Sequence, residues 1–327
     1  MRLLLILVGT GWLAAQESPP EKDLPPLPAM AKPVMFNTPE ADAILSALRV
    51  LPKNNPWNED ISGRPVHPDS DRIVASVGAK RRIGYNLDMG FILVPPDQKP
   101  VDVPFKSYGD ESDKGPFPLP DEAPVEGWPL DKSDLETLQR EGKGDRHVLV
   151  VDPHHGMLYE FYQGYRKAGG WQAACEATFD LKSNALRPRG WTSSDAAGLP
   201  IFPSLPRYDE CERGEVTHAL RFTVRRSRKE FLYPATHQAG HTRASEAPAM
   251  GQRFRLKASV DVSSFAKHPK AIALALKKYG MFVADNGMDW LISIPPDSRL
   301  QGLDDLRTLH GGDFEVVETT GEKDLGR

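Results

Sequence analysis

The stretch His147-Val148-Leu149-Val150-Val151-Asp152-Pro153-His154-His155-Gly156-Met157-Leu158-Tyr159-Glu160-Phe161-Tyr162 decides the fold class. Its first five residues are dominated by β-branched and aliphatic side chains, and its last six are aromatic and apolar around one carboxylate. Between them lies a Pro-His-His-Gly turn. Two β-prone runs joined by such a turn read as a hairpin. Strand alternation places Glu160 on one face with Leu158 and Tyr162, and Tyr159 with Phe161 on the other.

Outward from this hairpin, further strands are expected at 174–181, 216–224, 230–233, 252–260, 280–284 and 290–294, with Asp285-Asn286-Gly287 as a turn between the last two. Helices are expected at 39–50, where Thr38 precedes Pro39 as a cap, and at 269–279, which is rich in Ala and Leu; a short one is expected at 69–77. From 95 to 129 prolines recur every few residues among Asp, Glu and Gly, so this segment reads as a long wrap over a sheet, anchored by Phe105, Tyr108, Phe117 and Trp128. Thirty prolines and 27 glycines break the chain into short pieces, which disfavours a helical bundle. The expected fold is mainly β: an antiparallel β-sandwich of jelly-roll or concanavalin-like type, with a few short helices and long Pro-rich loops.

The N-terminus has its own pattern. Arg2 is followed by an uncharged, largely apolar run from Leu3 to Ala15, then by Gln16-Glu17-Ser18. This is the layout of a cleavable secretory signal peptide, and it is too short for a membrane span, which takes ~20 residues. Residues 1–15 are therefore expected to be a signal peptide, 16–34 a Pro-rich linker, and 35–327 a single domain whose N-terminal extension wraps the sheet. The expected location is secreted or periplasmic. A net charge of −4 points away from nucleic acid. The two cysteines, Cys175 and Cys211, form no CxxC; a disulfide and two buried thiols are both open readings.

Several side chains are candidates for chemistry. Glu160, among aromatic neighbours, has the setting of a general acid. Glu176 and Asp180 share a strand face, and Asp145 precedes the hairpin; Asp145 or Asp180 is the candidate second carboxylate of a glycosidase-like pair. His218 falls on the apolar face of 216–224 and is the candidate base or orienting group. Arg253 and Arg255 alternate with Phe254 and Leu256, so a cationic trough with Arg221 would suit an acidic glycan. Trp171 and Trp191 each follow a glycine and are candidates for stacking on sugar rings. His237 and His241 form HxxxH rather than HExxH, and no metal is expected. There is no GxSxG, Walker A or GxGxxG pattern, and no cofactor is expected.

Asn55-Pro56-Trp57-Asn58, Gly144-Asp145-Arg146-His147, Leu158-Tyr159-Glu160, Gly214-Glu215-Val216-Thr217-His218-Ala219-Leu220-Arg221, and Tyr279-Gly280-Met281 with Ala284-Asp285-Asn286-Gly287 resemble segments of a group of uncharacterised secreted bacterial proteins. The resemblance implies one continuous exported domain and carries no catalytic residue. The sequence-level expectation is a carbohydrate-active enzyme acting on a polysaccharide, with glycoside hydrolysis ahead of lyase chemistry. The alternative is a non-catalytic binder of polysaccharide or cell envelope.

Overall fold

The computed structural model describes residues 24–130 and 134–318. Its strands are β1 (Val34–Met35), β2 (Gly84–Leu87), β3 (Phe91–Leu93), β4 (Val148–Asp152), β5 (Met157–Tyr162), β6 (Tyr165–Lys167), β7 (Gly170–Gln172), β8 (Cys175–Asp180), β9 (Leu220–Val224), β10 (Arg253–Leu256), β11 (Met281–Asn286), β12 (Leu291–Ile294) and β13 (Phe314–Val316). Among the described residues five short α-helices accompany them: α1 (Pro39–Ala47), α2 (Ser70–Val77), α3 (Leu135–Arg140), α4 (Tyr208–Arg213) and α5 (Lys267–Lys278). The fold is mainly β.

The hairpin forms as its sequence dictates. β4 and β5 pair antiparallel from Val148↔Phe161 to Asp152↔Met157, and Asp152 closes the turn by accepting from the backbone N–H groups of His155 and Gly156. The uninterrupted apolar run of β4 has a structural consequence: both of its faces are buried. Leu149 and Val151 join the main core with Leu158, while Val148 and Val150 join a second cluster with Phe161 and Trp171. A strand covered on both sides can sit inside a sheet with a parallel neighbour. Here β3 runs parallel to β4, in the order β1-β3-β4-β5-β8.

The second sheet has the order β13-β10-β11-β9-β12-β2. β11 and β9 are parallel, as are β12 and β2. This corrects the expectation of a purely antiparallel arrangement. The Asp285-Asn286-Gly287 turn is corrected too, because β9 lies between β11 and β12 and the turn does not close a hairpin. The expected strand at 230–233 reduces to a single bridge, Phe231↔Met250. The strand expected at 216–224 begins only at Leu220, which leaves His218 outside it.

The Pro-rich segment is a wrap. Phe117, Leu119, Ala123 and Val125 cover the outer face of β4 and β5, and the Phe117 ring meets Phe161 edge-on at 5.4 Å. α1 starts where expected: Thr38 accepts from Ala41 N at 3.2 Å, and Ala41, Ile44 and Leu45 turn inward. Met30 is buried and Val34 pairs with Leu93, so the later part of the expected linker is packed on the domain. The signal segment 1–15 lies outside the described residues. Among the described residues no helix is long and apolar enough to cross a membrane. Cys175 and Cys211 are buried free thiols.

Candidate functional site

The two sheets meet at a buried polar network, and its anchor is Arg221 on β9. Arg221 is 3% exposed and Asp195 is fully enclosed. The guanidinium donates from Nε to Asp195 Oδ2 at 2.8 Å and from Nη2 to Oδ1 at 2.7 Å, and also to the Ser293 hydroxyl. A buried ion pair persists only with such complete bonding. It fixes the loop of residues 192–199. Gly198 in that loop has φ +73°, and a Cβ there would sit 2.0 Å from Thr236 Oγ1, so no side chain fits.

Around this pair lie four more titratable groups. His147 Nδ1 donates to Glu126 Oε2 at 2.9 Å, and its Nε2 donates to the Ser194 carbonyl at 2.9 Å. The ionised carboxylate and the carbonyl only accept, so both nitrogens carry hydrogen and the ring is an imidazolium. Burial alone would lower its pKa, but the Glu126 hydrogen bond and charge override that and raise it to about 9. Burial likewise opposes ionisation of Glu126, and His147 reverses this, lowering the carboxyl to about 2. Asp88 is raised to about 6 by burial and then by the Glu126 charge, and its Oδ1 has no hydrogen-bond partner among the described residues.

Asp285 reaches the network through a local irregularity. β11 carries an extra residue between Val283 and Asp285, so Asp285 rather than Ala284 pairs with Thr223. In a regular ladder Asp285 would face the apolar side of the sheet; the bulge puts it on the face of Arg221. Burial, and then the charge of Asp195, raises Asp285 to about 7, with Arg221 partly offsetting them.

Asp285 lines a cleft of about 250 Å³ together with Asp145, Tyr162, Tyr108, His237 and Asn286. Tyr162 donates its hydroxyl to Asp145 Oδ1 at 3.3 Å, and burial with the charges of Asp145 and Asp285 raises the phenol to about 12. His237 Nδ1 donates to the Ala196 carbonyl at 2.8 Å, which fixes that nitrogen as the protonated one and leaves Nε2 available. Asp145 also borders an adjoining cavity of about 370 Å³, lined by Asn86, Asp88, Glu126 and Lys143.

The residues expected from sequence separate into two groups. Asp145 stands in the cleft, and Arg221 lies beneath it as a structural anchor. Glu160 is fully enclosed: its oxygens accept from Ile201 N at 2.9 Å, Phe202 N at 2.8 Å and the Ser194 hydroxyl at 3.3 Å. Burial raises it to about 7, yet it has no face for a substrate. His218 is buried outside the cleft, with its ring nitrogens against the Ala219 carbonyl at 2.9 Å and Glu210 at 3.2 Å, so both are engaged within the chain and neither faces a substrate. Asp180 is exposed and closes a local turn through Lys182 N, while Glu176 is buried; they do not share a cleft.

The cationic trough does not form. Arg253 donates to the Tyr279 carbonyl and Glu59, and Arg255 to Glu315 and the Ile61, Ser62 and Arg64 carbonyls. Residues 59–64 cover this face, so alternation alone could not tell an outer face from a covered one. Trp171 is buried in the second cluster, and Trp191 is half-buried with Arg187 5.6 Å from its ring. Sequence reasoning missed His147, Glu126, Asp88 and the chemical side of Asp285. Asp285 had a signal, a carboxylate ending a β-prone run, but it read as a turn residue. Comparisons with protein-family models, curated proteins and solved structures gave no match.

Proposed function

We propose that this chain is a secreted carbohydrate-active enzyme that hydrolyses glycosidic bonds of a polysaccharide, with Asp285 as general acid and Asp145 as its partner carboxylate. The observation that carries this is the pairing of two carboxyl groups in unlike settings within one cleft: Asp285 half-buried and raised to about 7, Asp145 exposed and hydrogen-bonded to Tyr162. Glycoside hydrolysis needs such a division of labour. Asp285 gives its proton to the leaving oxygen as the C–O bond breaks. Asp145 either draws a proton from the attacking water or itself attacks the anomeric carbon before water releases the sugar. Hydrolysis is preferred to β-elimination because Arg253 and Arg255, the expected uronate-binding cations, are spent on structural partners. The apolar run from Leu3 to Ala15 supports the assignment to an extracellular polymer.

The test is a polysaccharide panel incubated with the mature protein, reading reducing ends and unsaturated products together. Reducing ends without unsaturation are expected. Asp285→Asn and Asp145→Asn should each lower kcat by ~10²–10⁴-fold with the fold intact by circular dichroism. Activity should fall as pH rises through about 7, where Asp285 loses its proton. Binding without turnover by the wild-type protein would favour the non-catalytic alternative, and full activity of Asp285→Asn would remove the acid assignment.

A further inference from the structure

The tryptophans expected to stack on sugars, Trp171 and Trp191, are buried and half-buried, but the first cleft, that of Asp285, has another aromatic wall. Tyr108 lines it and is 52% exposed; among the described residues no other aromatic side chain is exposed. Tyr162, in the same cleft, is half-buried and gives its hydroxyl to Asp145. The charge of Tyr108 is one of the causes that raise the Tyr162 phenol, so the two hydroxyls lie within electrostatic reach of each other and Tyr108 points toward the carboxylates.

The loop that carries Tyr108 is pinned on both sides. Before it, Lys106 N and Ser107 N donate to the Ala173 and Ala174 carbonyls at 3.0 and 3.2 Å. After it, Ser112 Oγ and Asp113 Oδ2 accept from Glu176 N and Thr178 N of β8 at 3.2 and 3.0 Å, and Glu111 accepts from Thr192 N at 2.7 Å. Tyr108 itself has φ +51°, in the left-handed region that few residues other than glycine adopt. Its carbonyl accepts from Glu111 N at 3.0 Å and from the Ser112 hydroxyl at 2.8 Å, which locks that conformation. The fold thus holds a large ring in an uncommon backbone state and leaves it outside the core. Only the two side-chain torsions of the tyrosine remain to be ordered by a ligand, so stacking on it costs little entropy.

We propose that Tyr108 is the sugar-stacking platform of this cleft and positions the pyranose unit whose glycosidic bond Asp285 and Asp145 address. A pyranose presents an apolar C–H face and a rim of hydroxyls. An open aromatic ring flanked by Asp145, Asp285 and the free His237 Nε2 matches both. The reaction at that sugar is the one given by the glycosidase reading, on which this proposal rests.

The test begins with calorimetric titration of Asp285→Asn, in which turnover is slowed, with cellohexaose, xylohexaose, mannohexaose, laminarihexaose and maltohexaose. Saturable binding of at least one hexaose is expected. In that background Tyr108→Ala should weaken the affinity about tenfold, and Tyr108→Phe should keep it within about twofold. Tyr108→Asn, whose side chain suits the left-handed backbone, should weaken it as much as Tyr108→Ala, which ties the loss to the ring rather than to the loop. With Asp285 intact, Tyr108→Ala should raise KM about tenfold and leave kcat within about twofold, since stacking acts alike on bound substrate and transition state. Binding or KM unchanged in Tyr108→Ala overturns the platform and leaves the hydrolase reading standing. A loss in Tyr108→Phe as large as in Tyr108→Ala assigns the effect to the hydroxyl and also overturns it, as does the absence of binding by any of these hexaoses. Binding that depends on the Tyr108 ring, without turnover when Asp285 is intact, supports the platform and overturns the hydrolase reading instead.

Discussion

Asp195 and Arg221 illustrate how a charged pair becomes structural when every guanidinium nitrogen has a partner. Neither reaches solvent, and the bidentate geometry replaces their hydration shells. Removing one partner leaves the other charge uncompensated, at a cost of about 3–5 kcal/mol. Asp195→Asn should lose that much stability in urea denaturation, and Asp195→Asn/Arg221→Met should recover part of it. A single variant within ~1 kcal/mol of wild type would show that the pair is dispensable.

At the scale of elements, the Pro-rich wrap closes the core. Phe117 packs edge-on against Phe161 and also meets Tyr159 and Phe105, while the same segment carries Tyr108 and Glu126 to the two cavities around Asp145. Phe117→Ala should cost about 3–5 kcal/mol by chemical denaturation, because a rigid sheet face cannot collapse into the void. It should also lower activity in the first cleft by releasing Tyr108. Loss of stability without loss of activity would show that the wrap serves the core alone. The bulge in β11 acts at the same scale, since one extra residue decides which side of the sheet Asp285 faces.

Four carboxyl groups among the described residues are raised by burial, with a consequence for the pH response of the whole molecule. Burial raises Asp88 to about 6, Asp285 and Glu160 to about 7 and Glu176 to about 8, from ordinary values of 3.8 and 4.5. The folded state therefore holds protons that the unfolded chain releases. Stability from these four groups is complete below pH 3.8–4.5 and is lost as pH rises through about 6 to 8. His147, raised from 6.5 to about 9, adds stability that is complete below 6.5 and lost as pH rises through 9. Glu126, lowered from 4.5 to about 2, works the other way: its contribution is present above 4.5 and lost as pH falls through 2. Urea midpoints should fall steadily between pH 5 and pH 9. A midpoint that rises over that range would mean these carboxyls are ionised in the folded protein.

The sequence by itself determined the hairpin, the Thr38 cap of α1, the β-rich class and the wrapping role of 95–129, because each depends on neighbours along the chain: alternation, turn residues, proline spacing. It also marked Asp145 as a candidate. Strand order, parallel pairing and the covering of the Arg253 and Arg255 face were decided only by the tertiary structure, since they depend on which segments meet across the fold. The same holds for the chemistry. Glu160 lies within one apolar run and Asp285 ends another, and the local pattern does not show which of them meets a cleft. Three-dimensional packing gives Glu160 the backbone of Ile201 and Phe202 and leaves Asp285 open to a cleft. Burial raises both to about 7, so packing, not residue type or protonation, sets which of them has a substrate within reach.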